Sequence, residues 1–229
     1  NSKNIFSDMA DWNPSEIIGN NPNLLDYTLY DFLLLKSEWR EGRKVLGYQD
    51  TSPKPLMYKF GNKPYIDIIA SFNSMIPSTI NNKLKKKLLK YYLEKLKKNH
   101  ELHDKVEFEI LFSCYDFTIK KRLKELKKNG FSIKEIKEIK KAILKLTNNV
   151  FVNFPNISNN AAKSIENLSE NRIMIQKESK KSNQSYYNYL ETAEKLLNDC
   201  KKNGTLPFST MARIAFIGTI ILTSLVKLS

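Results

Sequence analysis

Residues 132–148 read SIKEIKEIKKAILKLTN and decide the class of the fold. Ser132, followed three residues later by Glu135, forms a capping-box pattern, in which each side chain bonds the backbone N–H of the other residue at a helix start. Apolar residues then recur at helical spacing, at Ile136, Ile139, Ile143, Leu144 and Leu146. We therefore predict an amphipathic helix from Ser132 to about Asn148.

The same helical spacing recurs before this segment. It predicts helices from Leu25 to Val45, from Ile80 to Lys98 and from Ile119 to Lys128, the last of them ending at Gly130. Glycine at that place supplies the left-handed conformation that commonly ends a helix. The first 150 residues are thus expected to be mostly helical.

After this segment, residues 149–159 contain Pro155 and are predicted to form a loop. Further helices are predicted at 160–202, with a break near 180–184, and at 208–228, and we expect these two to form an antiparallel pair joined through 205–207. This organisation predicts two domains: 1–150 as a helical domain with an inserted sheet, and 151–229 as a long helical hairpin packed on it.

The segment 50–77 differs from the rest of the chain because its four prolines exclude helix. Leu56–Phe60 and Tyr65–Phe72 flank a turn that begins Gly61-Asn62, which indicates a β-hairpin. Val106–Cys114 alternates apolar and polar residues and is a third candidate strand, although Leu111 breaks the alternation and leaves a helix open. The predicted fold class is therefore mainly α with a small antiparallel β hairpin or three-stranded sheet.

The net charge of +14 points first to an anionic partner such as nucleic acid. Of the 38 basic residues, however, five are Arg, which leaves 38 − 5 = 33 Lys. Arginine suits bidentate phosphate and base contacts, whereas scattered lysine mostly solvates a surface. The composition therefore argues against nucleic acid as the partner.

The chain shows no secretory signal, and the two cysteines, Cys114 and Cys200, lie far apart without metal-ligand spacing. These features predict a cytoplasmic protein with free thiols. Residues 206–228 are apolar, but Arg213 interrupts them, and a span needs about 20 residues. We predict a buried core helix there and no membrane partner.

Known catalytic motifs are missing from the sequence. It contains neither a Gly-rich phosphate loop nor a nucleophile elbow, and its two histidines, His100 and His103, lie in no recognisable catalytic context. His103 lies beside several carboxylates, but HxxH lacks the one-turn spacing of a helical metal pair. We expect no catalytic residue, no metal and no cofactor in this chain.

Polar side chains of the predicted strands are the candidates for contacting a small-molecule ligand: Asp67, Ser71, Asn73, His103, Glu107 and Glu109. Because adjacent strands project side chains of the same parity onto one face, the two sets could meet across one concavity. The alternative is that each of these side chains is simply solvated.

Arg40 and Arg43 follow one another at three-residue spacing near the end of the first predicted helix. Such a pair could hold an anion together, such as an incoming phosphoryl group. The alternative is that both arginines complement the negative end of the helix. The two arginines complete the set of candidate ligand-binding residues.

Four segments together resemble the middle region of phosphoenolpyruvate-utilising enzymes, the family of phosphoenolpyruvate synthase and pyruvate phosphate dikinase. These segments are DWNPSEIIG at 11–19 with PNLL at 22–25, PYID at 64–67 with ASFNS at 70–74, HDKVEFE at 103–109 and GTLPF at 204–208. The resemblance covers nearly the whole chain, but its segments are family markers without an assigned chemical role.

The resemblance implies a modular phosphotransferase in which one domain takes a phosphoryl group from ATP and another carries it on a histidine. This chain lacks both signatures, and it opens without Met and closes on an apolar run. It is therefore expected to be a fragment: the acceptor-binding or scaffolding domain, with flanking domains of the same protein as partners. ATP and Mg²⁺ are expected for the full-length enzyme and no activity for this chain alone. The alternative is a non-enzymatic helical interaction module that binds anionic polymers through its lysines.

Overall fold

The computed structural model describes residues 4–8, 10–181 and 185–228. It is 70% helical and carries a three-stranded antiparallel sheet, which confirms the predicted fold class. Its described helices are α1 (Pro14–Ile17), α2 (Leu24–Tyr30), α3 (Glu38–Val45), α4 (Ile68–Asn73), α5 (Asn82–Lys98), α6 (Ile119–Lys128), α7 (Ile133–Lys181), α8 (Tyr186–Asp199) and α9 (Leu206–Val226).

The helix starts and stops predicted from local signals are confirmed in two places. The capping box forms as predicted, since Ser132 N donates to Glu135 Oε2 at 2.7 Å and Glu135 N donates to Ser132 Oγ at 3.2 Å. Helix α6 ends before Gly130, whose φ is +80°. The predicted helix from Leu25 to Val45, by contrast, is divided into α2 and α3 by a π-helical turn at Asp31–Leu35.

The sheet consists of β1 (Phe6–Ser7), β2 (Met57–Phe60) and β3 (Lys63–Asp67), with β3 in the centre. Gly61 and Asn62 both have positive φ, the conformation that a two-residue hairpin turn requires. The predicted hairpin is confirmed, but its second strand is shorter than predicted. It ends at Asp67, because the carboxylate of that residue accepts the N–H groups of Ile69 and Ala70 and starts α4 there.

The predicted third strand at Val106–Cys114 is wrong. Residues Val106–Ile110 form a π-helical turn, and β1 occupies the place of the third strand. Val106 and Ile110 are both buried, and so is Glu107 between them. The alternation from Val106 to Cys114 was ambiguous, because Val106 and Ile110 are also four residues apart and can share one face of a helical turn.

The predicted loop at 149–159 is also wrong, since α7 continues through it with Pro155 inside the helix. The predicted boundary between residues 150 and 151 therefore falls within α7. Val150 is nevertheless the last buried residue of α7, and none of residues 151–180 is buried. We call residues 151–181 together with α8 the arm, and the described residues before 151 together with α9 the body.

The predicted connection at 205–207 between two antiparallel helices is wrong as well. A π-helical turn, Cys200–Thr205, joins α8 directly to α9. The antiparallel partner of this long run is α7, because Asn171 contacts Asp199 at 2.7 Å and Leu168 lies beside Gly204. The predicted break near 180–184 lies partly outside the described residues; α7 ends at Lys181 and α8 begins at Tyr186.

Helix α9 packs one face against α3 and α7. Its buried residues follow helical spacing: Ser209, Thr210, Arg213, Ile217, Ile220 and Ser224. The opposite face is exposed, as Leu222 shows with 66% of its surface accessible. By length and composition the continuous run Tyr186–Val226 could also cross a membrane, and 33% of its most apolar window is buried.

Candidate functional site

A cavity of about 350 Å³ opens in the body at the place where α3, the Val106–Ile110 turn and α9 meet the turn that precedes α1. Its walls are mostly apolar, and charged side chains lie along one side. The lining residues that matter below are Asp11, Trp12, Leu34, Arg43, Glu107, Phe208, Ala212, Arg213 and Phe216. Three of the four sequence segments that carry the family resemblance supply four of these residues: Asp11, Trp12, Glu107 and Phe208. The remaining segment supplies Ser71 and Ser74, which contact Asp11 and Arg43.

Arg43 is the best-satisfied charge on this wall. Its guanidinium forms a two-pronged ion pair with the carboxylate of Asp11, whose Oδ2 lies 3.0 Å from Nη1. Nη1 also donates to Ser74 Oγ at 2.5 Å, and Ser71 Oγ donates to Asp11 Oδ2 at 2.6 Å. The ring of Trp39 lies 5.4 Å from the guanidinium carbon. These contacts fix the position of Arg43 and leave it little capacity for a ligand.

Asp11 reaches Arg43 because the backbone before α1 makes an unusual turn. Asp11 has a φ of +55°, in the left-handed region, which aspartate tolerates better than most residues. The hydroxyl of Tyr30 donates to the carbonyl of Trp12 at 2.6 Å and holds the next residue in place. The lead-in segment therefore positions both an acidic and an aromatic side chain on the cavity wall.

Arg213 is buried in α9 with 3% of its surface accessible. Its Nη1 lies 2.9 Å from Glu107 Oε1, and the same oxygen lies 4.0 Å from Nη2 of Arg43. The rings of Tyr48 and Phe216 lie 5.7 Å and 5.6 Å from its guanidinium carbon. Asp11, Arg43, Glu107 and Arg213 thus form a buried chain of alternating charges, which we call the charge cluster.

The charge cluster leaves part of Arg213 without a partner. Within the described residues, its Nε and Nη2 make no hydrogen bond, although both are covered from solvent. Burial by itself would lower the pKa of Arg213, but the charge of Glu107, together with the interaction of the guanidinium with the Tyr48 hydroxyl, raises it above its ordinary value. Arg213 is therefore a permanent cation with two free donors, and buried donors of this kind are nearly always satisfied in proteins.

Two further groups near the cluster are kept neutral. Burial raises the pKa of Tyr48 to about 12, and its hydroxyl donates to the carbonyl of Ser113 at 2.7 Å. Burial likewise raises the pKa of the Cys114 thiol to about 12. Neither group supplies a negative charge at neutral pH, so the balance of the cluster rests on its four charged members.

The close approach of α3 and α9 brings Arg213 to the cluster. A Cβ on Gly42 would lie 2.7 Å from Ser209 Oγ and 3.0 Å from the backbone nitrogen of Thr210. Such distances require a shift of one helix, so glycine at this position lets the two helices touch. Ser209 fills the space that Gly42 leaves, and its hydroxyl has no hydrogen-bond partner among the described residues.

Three of the sequence-predicted site residues belong to the cluster or touch it: Arg43, Glu107 and Ser71. The other five lie elsewhere. Asp67 starts α4, Asn73 Nδ2 donates to the carbonyl of Ile69 at 2.9 Å, and His103 Nδ1 lies 3.3 Å from Ser7 Oγ. Arg40 Nε lies 3.9 Å from Glu41 Oε1. Glu109 Oε1 lies 3.8 Å from Nζ of Lys227, which directly follows the last residue of α9.

The prediction that the polar faces of two adjacent strands meet across one concavity is therefore wrong. Residues 68–73 and 106–110 are helical, so alternate residues do not share a face. Ser71 and Glu107 are linked instead through Asp11 and Arg43.

Sequence reasoning missed Asp11, Trp12 and Arg213 as site residues. Arg213 could have been selected from the sequence, because it is a charged residue inside the apolar run 206–228. If that run is buried, an unpaired charge in it would be destabilising, so a counter-charge or a ligand is expected. Asp11 and Trp12 were visible as part of a segment of family resemblance. Nothing in the sequence indicated that these residues, about 200 positions apart in the chain, are neighbours of Glu107.

Among the described residues, no group of three or more His, Cys, Asp or Glu side chains could hold a metal ion. The site combines fixed charges, donors without a hydrogen-bond partner among the described residues, and apolar walls. Comparison of the chain with protein-family models, curated proteins and solved structures finds no match in any of the three. The family resemblance therefore rests on the four sequence segments.

Proposed function

We propose that this chain is the acceptor-binding domain of a phosphotransferase similar to phosphoenolpyruvate synthase, and that the cavity beside the charge cluster holds the acceptor. The family comes from the resemblance of the sequence, and the binding role comes from the site. Catalysis in the full-length enzyme depends on flanking domains, together with ATP and Mg²⁺.

The single observation that carries the binding role is the free edge of Arg213. A buried cation with unsatisfied donors is destabilising unless something compensates for it. Here it lies on the wall of a cavity of about 350 Å³, within the size range of small-molecule sites. A ligand oxygen would accept hydrogen bonds from those donors. Binding would therefore remove the free-energy penalty that the unsatisfied donors impose on the free protein, and this difference would contribute to the affinity.

The experiment uses the natural protein that contains this chain. It is incubated with Mg²⁺ and ATP labelled in the γ-phosphate, and the formation of an acid-labile phosphoryl-enzyme is followed. The label is then chased with the small-molecule fraction of a cell extract. We expect Ala212→Leu, which fills the cavity, to leave phosphorylation of the protein unchanged and to slow the discharge of label at least about tenfold, as for a loss of 1.4 kcal/mol.

Ala215→Leu is the matched control, because this residue is exposed on the same helix and does not line the cavity. It should leave both steps unchanged. If no phosphoryl-enzyme forms in the natural protein, the phosphotransferase assignment is wrong. If discharge is equally fast in the Ala212→Leu variant, the acceptor binds elsewhere.

A further inference from the structure

We infer that the ligand of this cavity is a monocarboxylate with an apolar body, such as an aryl or branched-chain acid. The inference rests on the proposed binding site and specifies its ligand class. It follows from three properties of the cavity: the kind of hydrogen-bonding group left free, the charge already present, and the character of the remaining walls.

The free polar atoms at the cavity are mainly donors. Arg213 contributes Nε and Nη2, which lie on the same edge of the guanidinium and form a two-pronged fork. Trp12 contributes an indole Nε1 that also has no partner among the described residues. Neither side chain can accept a hydrogen bond. A ligand that satisfies them has to present acceptor oxygens, and a planar carboxylate matches the fork of one arginine.

The charge balance of the cluster favours one negative charge on the ligand. Glu107 already compensates Arg213 through the contact of 2.9 Å, and Asp11 compensates Arg43. A dianionic phosphate would meet these two carboxylates across a cavity that offers no further cation among its described lining residues. A monoanion meets the same repulsion with half the charge, while it still gains both hydrogen bonds from the free edge of Arg213.

The remaining walls fit an apolar body. Leu34, Phe208, Ala212 and Phe216 supply apolar surface to the cavity. The ring centroids of Trp12 and Phe208 lie 6.1 Å apart, so two aromatic side chains are adjacent on the cavity wall. Burial of apolar ligand surface is favourable, so these walls add affinity while the arginine fixes the orientation of the ligand.

Phe216 packs against the arginine. Its ring lies 5.6 Å from the guanidinium carbon of Arg213 and 5.6 Å from the ring of Phe108, and 40% of its surface is accessible. An exposed aromatic side chain changes rotamer on the picosecond-to-nanosecond scale. The ring of Phe216 can therefore adjust to a ligand without movement of the backbone.

The test measures binding of 3-phenylpropionate to the protein by fluorescence. The chain has two tryptophans, of which Trp12 lines the cavity and Trp39 is buried beneath Arg43. We expect 3-phenylpropionate to change the emission of Trp12, and Trp12→Phe to abolish that signal. The neutral 3-phenylpropionamide should bind at least about tenfold more weakly, because it loses a charge-assisted hydrogen bond to Arg213.

Ala212→Leu should abolish this binding and Ala215→Leu should preserve it. Ala212 and Ala215 are on the same helix, and both variants add the same volume, so their difference reports the cavity. Phenyl phosphate should bind more weakly than 3-phenylpropionate above pH 7, where it carries two charges. Equal binding of acid and amide, tighter binding of phenyl phosphate, or no binding of 3-phenylpropionate at millimolar concentration would overturn the inference.

These outcomes separate the ligand class from the proposed function. Binding of 3-phenylpropionate in a natural protein that forms no phosphoryl-enzyme would retain the ligand class and reject the phosphotransferase. Transfer of label to a phosphate ester or sugar through an Ala212-sensitive step would retain the phosphotransferase and reject the ligand class.

Discussion

The body of the protein buries charged side chains, whereas the arm exposes large apolar ones. Glu107 and Arg213 have 8% and 3% of their surfaces accessible. In the arm, Val152 and Tyr187 have 78% and 80% accessible. This is the reverse of the usual distribution, in which burial of charge and exposure of large apolar surface both need a reason.

The two regions meet inside one helix, and this shows that helix formation and burial are separate properties of the chain. Helix α7 buries Ile139, Ile143 and Leu146 against the body. Beyond Val150 the same helix continues as one side of a two-helix arm without a buried residue up to Lys180. The two helices of the arm are stabilised by their backbone hydrogen bonds and by packing against each other. The charge cluster, by contrast, lies in the body, where the surrounding core buries it.

The largest contrast should appear when one phenylalanine is truncated in each region. Phe72 is fully buried in the body, and Phe72→Ala should lower the free energy of unfolding by about 3–5 kcal/mol through the cavity it leaves. Phe154 lies in the arm with 42% of its surface accessible, and Phe154→Ala should change that free energy by less than about 0.5 kcal/mol. Urea denaturation measures both; equal losses would mean that the arm has a core of its own.

A smaller effect is expected from the proline inside α7. Pro155 cannot donate the hydrogen bond of an interior helical residue, so Pro155→Ala should stabilise the arm by up to about 3 kcal/mol. Hydrogen exchange should then slow at residues 151–165 and stay unchanged in the body. The exposed neighbour provides the control, since Asn156→Ala changes helix propensity by less than about 0.7 kcal/mol. Faster exchange in the Pro155→Ala protein would indicate that the proline shapes a required bend.

The smallest effect concerns the two thiols, one in the body and one at its junction with the arm. Burial raises the pKa of the Cys114 thiol to about 12, so the reactive thiolate is scarce at pH 8. Cys200, at the junction of arm and body, is partly accessible. A thiol reagent at pH 8 should modify Cys200 in the folded protein and leave Cys114 intact. Cys200→Ser should remove the fast phase, and a fast phase that persists would place Cys114 in reach of solvent.

The parts of the fold that depend on local chemistry were predictable from the sequence. The capping box of Ser132 and Glu135 and the Gly61-Asn62 turn each need contacts within a few residues, and both formed as predicted. Pro155 was misread because a proline usually ends a helix, whereas here α7, which packs against α8 and α9, continues through it.

The site was predictable only in part. Arg43, Glu107 and Ser71 were selected as polar residues on strands or at a helix end, and the structure brings them together through a different geometry. Asp11 and Arg213 complete the cluster from opposite ends of the chain. Pairing between such distant positions depends on the packing of α3 against α9, which no local pattern reports.

The most direct test compares two ways of removing the Glu107–Arg213 pair. Glu107→Gln alone leaves Arg213 buried without its counter-charge, and should cost about 3–5 kcal/mol of stability. The double variant Glu107→Leu with Arg213→Met removes both charges and leaves the Asp11–Arg43 pair balanced. If the pair is kept for binding, the double variant should be at least as stable as the unmodified protein in urea denaturation, and should no longer bind 3-phenylpropionate. A double variant that unfolds as readily as Glu107→Gln, or one that still binds the acid, would contradict a ligand-binding role for the charge cluster.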